Sequence, residues 1–561
     1  MNKITKILTK KNVKKLQIFT LFFILILIPI VSLLTYKYPQ FGKIGFVLWI
    51  ATFIPIIKLS LNNLIFIIKK KNYLTLLTIF ILIFLIFINL KNPQNISHES
   101  TQEISCSLDL YAKSNDSGFL KTCLFGYPAR QYFLPMLASL FLGRNQLALN
   151  LGNSLYFFIG ISIFAKGINQ YIDDQKKRDL ITALVLSLIL HLHFVNHFLF
   201  HLFEQSIYPF CFALISVGIY LQYIKEKRIE LILLTALSLQ YLIFAYTPSL
   251  ALFFLGIIIF LYQYLKQKSI KMHFFYLLIL LTSIINLAIS LNIRSDLHII
   301  SEKNNQVYLM KEEIVKIIEH FAFQKHGTPT FSGISSLFII MILLAAITLQ
   351  LGWTAFLIIM WIIVTIIIGT ISQGYFFYNF DFRLHRSLVV FPVFFTLLPL
   401  FVKKYQLKYK TLLFLFTIFL GSGLFAHFRF SADNKPTGQM ALEFQPFIEN
   451  IKHENQLLET QNKTATIYFI ENSHDQFKPL NDMLIYFSPA LHSKKYKGKL
   501  SLATCQLKYN DYYVIKTDHK CFEKIMKREQ TDLIGTHLNS KGEELTIFKQ
   551  NETEKKQNQL F

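Results

Sequence analysis

Charge is scarce in this chain. Asp, Glu, Lys and Arg make up 16% of its 561 residues, against about 25% in an ordinary soluble domain. Apolar residues reach 53%, which excludes both a soluble enzyme and a disordered protein. Five cysteines in such a length exclude a disulfide scaffold, and no CxxC pair is present to suggest structural zinc. There is no GxxxxGK[ST] loop, which argues against ATP-driven transport, and no HExxH protease motif. No internal repeat of the kind common in secondary transporters is visible.

What is present is a series of apolar blocks about 20 residues long, the length of a bilayer crossing. Acidic residues number 33 against 57 basic ones, a net charge of +24. The basic residues sit mostly in short clusters between the apolar blocks. That is the positive-inside pattern rather than a groove for nucleic acid. The chain therefore reads as a polytopic, mostly α membrane protein.

Six lysines from Lys3 to Lys15 precede the uncharged run Gln17 to Tyr36. The run is longer than a signal-peptide core and lacks a small-residue cleavage site, so it predicts an uncleaved first crossing with a cytoplasmic N-terminus. Further spans are expected at 44–67, 73–90, 150–167, 180–200, 206–223, 229–245, 248–265, 273–292, 334–351, 352–370, 387–402 and 410–427, about 13 crossings in all. This count places the clusters Lys69–Lys71, Lys176–Arg178, Lys225–Arg228, Lys266–Lys268 and Lys403–Lys404 on the inside. It requires the short segment 131–143 not to cross but to lie at the outer interface.

A membrane domain at 1–427 thus exposes outer loops at 91–130 and 293–333, the second carrying an amphipathic stretch around Ile314 to Phe321. The tail 428–561 is long enough for a small extracytoplasmic α/β domain. Its expected elements are a helix at 437–459 and strands at 465–470, 484–487 and 512–515. Cys106 and Cys123 share the first outer loop, and Cys505 and Cys521 share the tail. That distribution suggests two disulfides in an oxidising compartment, the alternative being four unrelated thiols.

The first outer loop carries the most chemical information. It reads Ser107-Leu108-Asp109-Leu110-Tyr111-Ala112, then Phe125-Gly126-Tyr127-Pro128-Ala129-Arg130-Gln131-Tyr132. An acidic residue just outside a membrane, followed by a Tyr-Pro turn and a surface helix, resembles integral-membrane glycosyltransferases of the GT-C fold. That group includes protein mannosyltransferases and the enzymes that add aminoarabinose to lipid A. Tyr127-Pro128-Ala129 and Leu140-Phe141-Leu142-Gly143 occupy the places of its Pro-Pro-Leu-like and Leu-Phe-Gly elements. Leu110 stands where the group often has a second acidic residue, Ala129 where it has a second proline, and extra spans precede the loop.

The resemblance implies transfer of a sugar from a polyprenyl-phosphate-linked donor to a glycan, lipid or protein acceptor on the outer face. Such a step needs a base for the acceptor proton, and Asp109 is the candidate. A stripe of His193, His197 and His201, with Glu204 three residues on, ends the fifth span. Glu204 matches an acidic position of the GT-C pattern and would orient the acceptor. The spacing of His197, His201 and Glu204 also leaves a divalent metal ion open as a cofactor, beside the bland reading of an interior helix face. Before the twelfth span, Arg383 or Arg386 would hold the donor phosphate as a guanidinium fork, or serve only as an interfacial anchor. Tyr111, Tyr127, Arg130 and His201 complete the expected acceptor cavity. Two rival functions remain: a flippase or transporter for lipid-linked saccharides, and a non-catalytic assembly protein. Lys- and Ile-rich usage points to an AT-rich bacterial genome, and so to a bacterial inner membrane.

Overall fold

The computed structural model describes residues 10–90, 101, 104–105, 108, 129–192, 195–201, 207–245, 249–266, 270–295, 334–371, 388–433, 439–470, 486, 488, 490–495, 505, 507, 511–528, 531–538 and 544–550. They are mostly helical, with one small sheet. Two compact units divide the chain. The first comprises Met1–Ile88, Ser107–Leu134 and Gly152–Asp433, and the second Asn89–Cys106, Pro135–Leu151 and Asn434–Phe561.

The leading helices are α1 (Lys10–Lys37), α2 (Gly42–Lys69), α3 (Tyr73–Asn89), α4 (Phe133–Leu142) and α5 (Gln146–Tyr171). After these come α6 (Arg178–Ser187), α7 (Tyr208–Glu226), α8 (Ile229–Ile243), α9 (Leu250–Lys266) and α10 (Ile270–Ser295). Next are α11 (Ile334–Ile347), α12 (Trp353–Ile371), the short α13 (Phe391–Phe394) and α14 (Leu397–Lys404), and α15 (Tyr409–Asp433). Among the described residues, five helical stretches are long and apolar enough to cross a membrane: Lys15–Lys37, Gly42–Lys69, Gln146–Tyr171, Met272–Asn292 and Tyr409–Phe428. The apolar helices α3, α8 and α9 run only 15–17 residues.

Close approach within the first unit depends on small and polar residues, the pattern expected where lipid supplies no hydrophobic contrast between helices. At the crossing of α5 and α7, a Cβ on Gly218 would lie 2.7 Å from the backbone of Phe164, and one on Gly167 would lie 2.5 Å from the Gly218 carbonyl oxygen. Gln222 ties the same crossing by donating to the Ile163 carbonyl at 3.0 Å. Ser60 and Ser162 bond across α2 and α5 at 2.7 Å. Gln240 on α8 donates to Ser283 on α10 at 3.1 Å and accepts from Asn286 at 2.9 Å. Asp179 supplies acceptors for the open end of α3. Its carboxylate takes the amides of Leu74 and Thr75 at 3.0 and 2.9 Å, satisfying donors that have no partner inside that helix.

One expectation fails here. Among its described residues the segment 180–200 is not one continuous α-helix; His193 lies outside them. Helix α6 ends at Ser187, Leu188–His191 tighten into a 3-10 turn, and Asn196–His201 form a π-turn. Leu192 between them is extended, with φ −75° and ψ 106°. At the break, side chains engage backbone carbonyls of this segment and of α15. The Asn196 amide donates to the Leu190 carbonyl at 2.6 Å, and the His191 imidazole reaches the Phe419 carbonyl of α15 at 2.7 Å.

The second unit contains helix α16 (Gln439–Thr460), the short α17 (Phe522–Met526) and five strands: β1 (Ala465–Phe469), β2 (Leu491–Lys495), β3 (Tyr512–Lys516), β4 (Thr531–Leu538) and β5 (Glu544–Gln550). The sheet order is β2-β1-β3-β5-β4. β1 is parallel to both β2 and β3, whereas β5 is antiparallel to β3 and β4. Alternation along β3 feeds two layers. Tyr513 and Ile515 join Phe548, Ile525 and the cysteines in one buried cluster, where Tyr468, Tyr513 and Phe548 stack across strands at 5.6 and 5.7 Å. Tyr512, on the other side, donates to Glu454 of α16 at 2.9 Å. Cys505 and Cys521 are joined in a disulfide with a Cα–Cα distance of 5.5 Å.

The helix and two of the strands expected in the tail are present. Of the run 484–487 only Tyr486 is described, and it is helical, while the sheet contains a further parallel strand at Leu491–Lys495 that the sequence pattern does not predict. Leu-His-Ser-Lys-Lys has no apolar alternation to reveal it. Such polar, lysine-bearing composition is what an edge strand favours.

Candidate functional site

Of the residues singled out in the sequence, Arg130 has a described side chain. Asp109, Tyr111, Tyr127, Glu204, Arg383, Arg386, Cys106 and Cys123 lie outside the described residues. So do the side chains of His197 and His201, whose backbones belong to the π-turn. The amphipathic stretch at 314–321 also falls outside them.

Arg130 sits in the 3-10 turn Ala129–Tyr132, where the first long loop re-enters the helices. It is fully buried. Its guanidinium carbon is 3.1 Å from the ring centroid of Phe244, at the end of α8, and 5.1 Å from that of Trp49 on α2. Burial pushes its pKa down. The two ring faces act in the opposite sense, since their negative quadrupoles favour a cation.

The aromatic wall continues behind it. Trp49 meets Tyr241 edge-on at 5.0 Å, and Tyr241 stacks on Phe53 at 4.5 Å. The hydroxyl of Tyr241 donates to Thr52, which donates to the Trp49 carbonyl. The next residues of the turn are held as firmly. Tyr156 on α5 donates to the Gln131 carbonyl at 2.8 Å and accepts from the Leu134 amide at 3.3 Å. Tyr208, packed on Tyr132 and Tyr156, donates to Asn153. The end of the loop that carries Asp109 is therefore clamped by α2, α5, α7 and α8, with a cation at its centre.

A second polar group surrounds the break in the fifth apolar segment, and the sequence reading missed half of it. Asn196 uses its amide nitrogen on the Leu190 carbonyl, so its oxygen faces Nδ1 of His427 on α15, 3.2 Å away. That oxygen only accepts, so Nδ1 of His427 is the donor in this contact. Phe200 meets the His427 ring edge-on at 5.5 Å. The i, i+4 spacing drew attention to His193, His197 and His201. His427, more than 200 residues away, offers no such spacing. A histidine in an otherwise apolar span was the available signal.

The basic clusters of 176–178, 225–228 and 403–404 gather around the segment 172–179. Asp173 pairs with Lys225 at 2.7 Å and with Lys403 at 3.2 Å. Both lysines hold its carboxyl below the usual carboxylate range, chiefly through their hydrogen bonds. Asp174 pairs with Lys177, and Glu226 with Lys166 and Arg228. Asp173 and Lys403 are largely exposed, and such pairs contribute only about 0–1 kcal/mol. Their value here is as geometric markers that these clusters share one end of the helices.

No group of three or more His, Cys, Asp or Glu is placed to hold a metal ion among the described residues. Comparison of the chain with family models, with curated proteins and with solved structures found no match.

Proposed function

We propose that this chain is a multi-pass membrane glycosyltransferase of GT-C type, with about 13 crossings, a cytoplasmic N-terminus and an extracytoplasmic tail. In this reading an acceptor hydroxyl attacks the anomeric carbon of a polyprenyl-phosphate-linked sugar. The bond from that carbon to the phosphate oxygen breaks, the lipid phosphate leaves, and the acceptor proton passes to Asp109. Glu204 orients the acceptor, and Arg383 or Arg386 holds the phosphate.

The observation that supports it most is the clamp on Arg130. A base in a surface loop is useful only if its position is fixed relative to both substrates. The turn that closes this loop is pinned by Tyr156 and by two aromatic rings around a buried cation. The Cys505–Cys521 disulfide supports the orientation, since such bonds persist in oxidising compartments. The convergence of basic clusters on Asp173 and its neighbours supports a common inner side.

The break between Ser187 and Asn196 favours a second reading. Discontinuous helices frame substrate sites in many transporters, so a flippase for lipid-linked saccharides is the main rival. Purified protein in proteoliposomes, given a radiolabelled polyprenyl-phosphate sugar and an acceptor extract, separates the possibilities. Transfer of label that Asp109→Asn abolishes, with the protein still inserted, is the expected result. Label that changes leaflet without leaving its lipid identifies the flippase, and neither event points to an assembly protein.

A further inference from the structure

Helix α4 is buried along one half and bare at the other. Phe133, Leu134, Met136 and Ala138 are buried, whereas Leu140, Phe141 and Leu142 are 57%, 80% and 47% exposed. Three adjacent large apolar side chains at a helix tip are costly in water, at about 25 cal/mol per Å².

The tip is rigidly aimed. Gly143 ends the helix with φ +80°, a conformation that glycine adopts without a Cβ penalty. Asn145 then fixes the elbow: its side chain donates to the Leu142 carbonyl at 2.5 Å and accepts from the Ala148 amide at 2.9 Å, opening α5. Helix α5 is one of those able to cross a membrane. Three residues separate Leu142 from its first residue, Gln146, a reach of at most about 14 Å. The tip is therefore tethered close to the first residue of a helix able to cross a membrane.

The same elbow belongs to the unit that carries the sheet. Tyr486 accepts from Ser139 of α4 at 2.8 Å and donates to the Asn145 carbonyl at 3.3 Å. Tyr486 is completely buried and Ser139 nearly so.

We propose that Leu140, Phe141 and Leu142 form a wedge inserted into the lipid of the bilayer leaflet at which α5 begins. This rests on the reading of the chain as membrane-spanning. It needs no catalytic activity.

Full-length Phe141→Trp protein, reconstituted in phosphatidylcholine vesicles with bromine at shallow or deep positions on the acyl chain, tests it. The signal is the emission added by the new indole over that of the three native tryptophans. Shallow bromine is expected to quench the added emission about twofold or more, as for a ring roughly 5–10 Å below the surface. Added emission that responds to aqueous acrylamide and to neither bromine overturns the wedge, as does emission silent to all three, which would mean a protein partner covers the tip. Trp353 on α12, 68% exposed, separates this failure from failure of the underlying reading. If native emission in the unmodified protein is also indifferent to bromine, the chain is not in the bilayer. If only the added emission is indifferent, the bilayer reading stands and the wedge falls.

Discussion

Replacing Cys505 and Cys521 together with alanine removes a cross-link between residues 16 apart in sequence. Closing a loop of that size removes about 3 kcal/mol of chain entropy from the unfolded ensemble. Both cysteines are buried against Tyr513, Ile515 and Phe548, so the lost sulfurs leave small cavities that add to the cost. A change of about 3 kcal/mol shifts the opening equilibrium more than roughly a hundredfold. Hydrogen exchange on the full-length reconstituted protein reads this directly. The amides of Tyr513 to Ile515 on β3 and of Ile547 and Phe548 on β5 are expected to exchange about a hundred times faster in the double variant. Unchanged rates would show that the strands draw no stability from the bond. A thiol-reactive mass tag on unreduced protein from intact cells supplies the companion measurement. Labelling of Cys505 and Cys521 without reductant would place the tail in a reducing compartment and refute the orientation on which the function rests.

Two further outcomes follow from packing and burial. Gly218→Ala forces a methyl to within 2.7 Å of the α5 backbone and is expected to cost about 1–3 kcal/mol through overpacking. A thiol-reactive dye that reports exposure of Cys211 on α7 should register a lower melting temperature, while Gly421→Ala, which meets nothing within 4 Å, should leave it unchanged. Burial pushes the Tyr486 hydroxyl from its ordinary value of 10.0 up to about 12. The folded form keeps that proton longer, so its stabilisation of roughly 2–3 kcal/mol is complete below the unfolded pKa and is lost as pH rises through the folded one. Exchange protection in the second unit should fall more steeply over that window in wild-type protein than in Tyr486→Phe.

How much of this was legible in the sequence depends on the period of each signal. An apolar run such as Gln17 to Tyr36 is helical whether read as a crossing or as a signal-peptide core, and the helix is present. The interruption within 180–200 is invisible to hydropathy, which registers side chains in bulk. Hydropathy does not register that one asparagine, Asn196, can take a carbonyl away from the helix. The strand Leu491–Lys495 lacks alternation because it lies at the edge of the sheet, where neither face demands a regular apolar set. At the site, Arg130 was named as a cavity residue. Its setting between Trp49 and Phe244 joins positions 81 and 114 residues away on either side, as their numbers show, a juxtaposition that no local spacing encodes. His427 and Asn196 meet across a similar gulf.

Asp173 carries a consequence for how such a chain is made. In the proposed topology Lys225 and Lys403 are read one at a time during insertion, each retaining its own loop on the side of synthesis. Once the helices assemble, these retention signals become neighbours that repel. A single carboxylate held between them lets the charges that steer topology be numerous without splaying the finished protein apart.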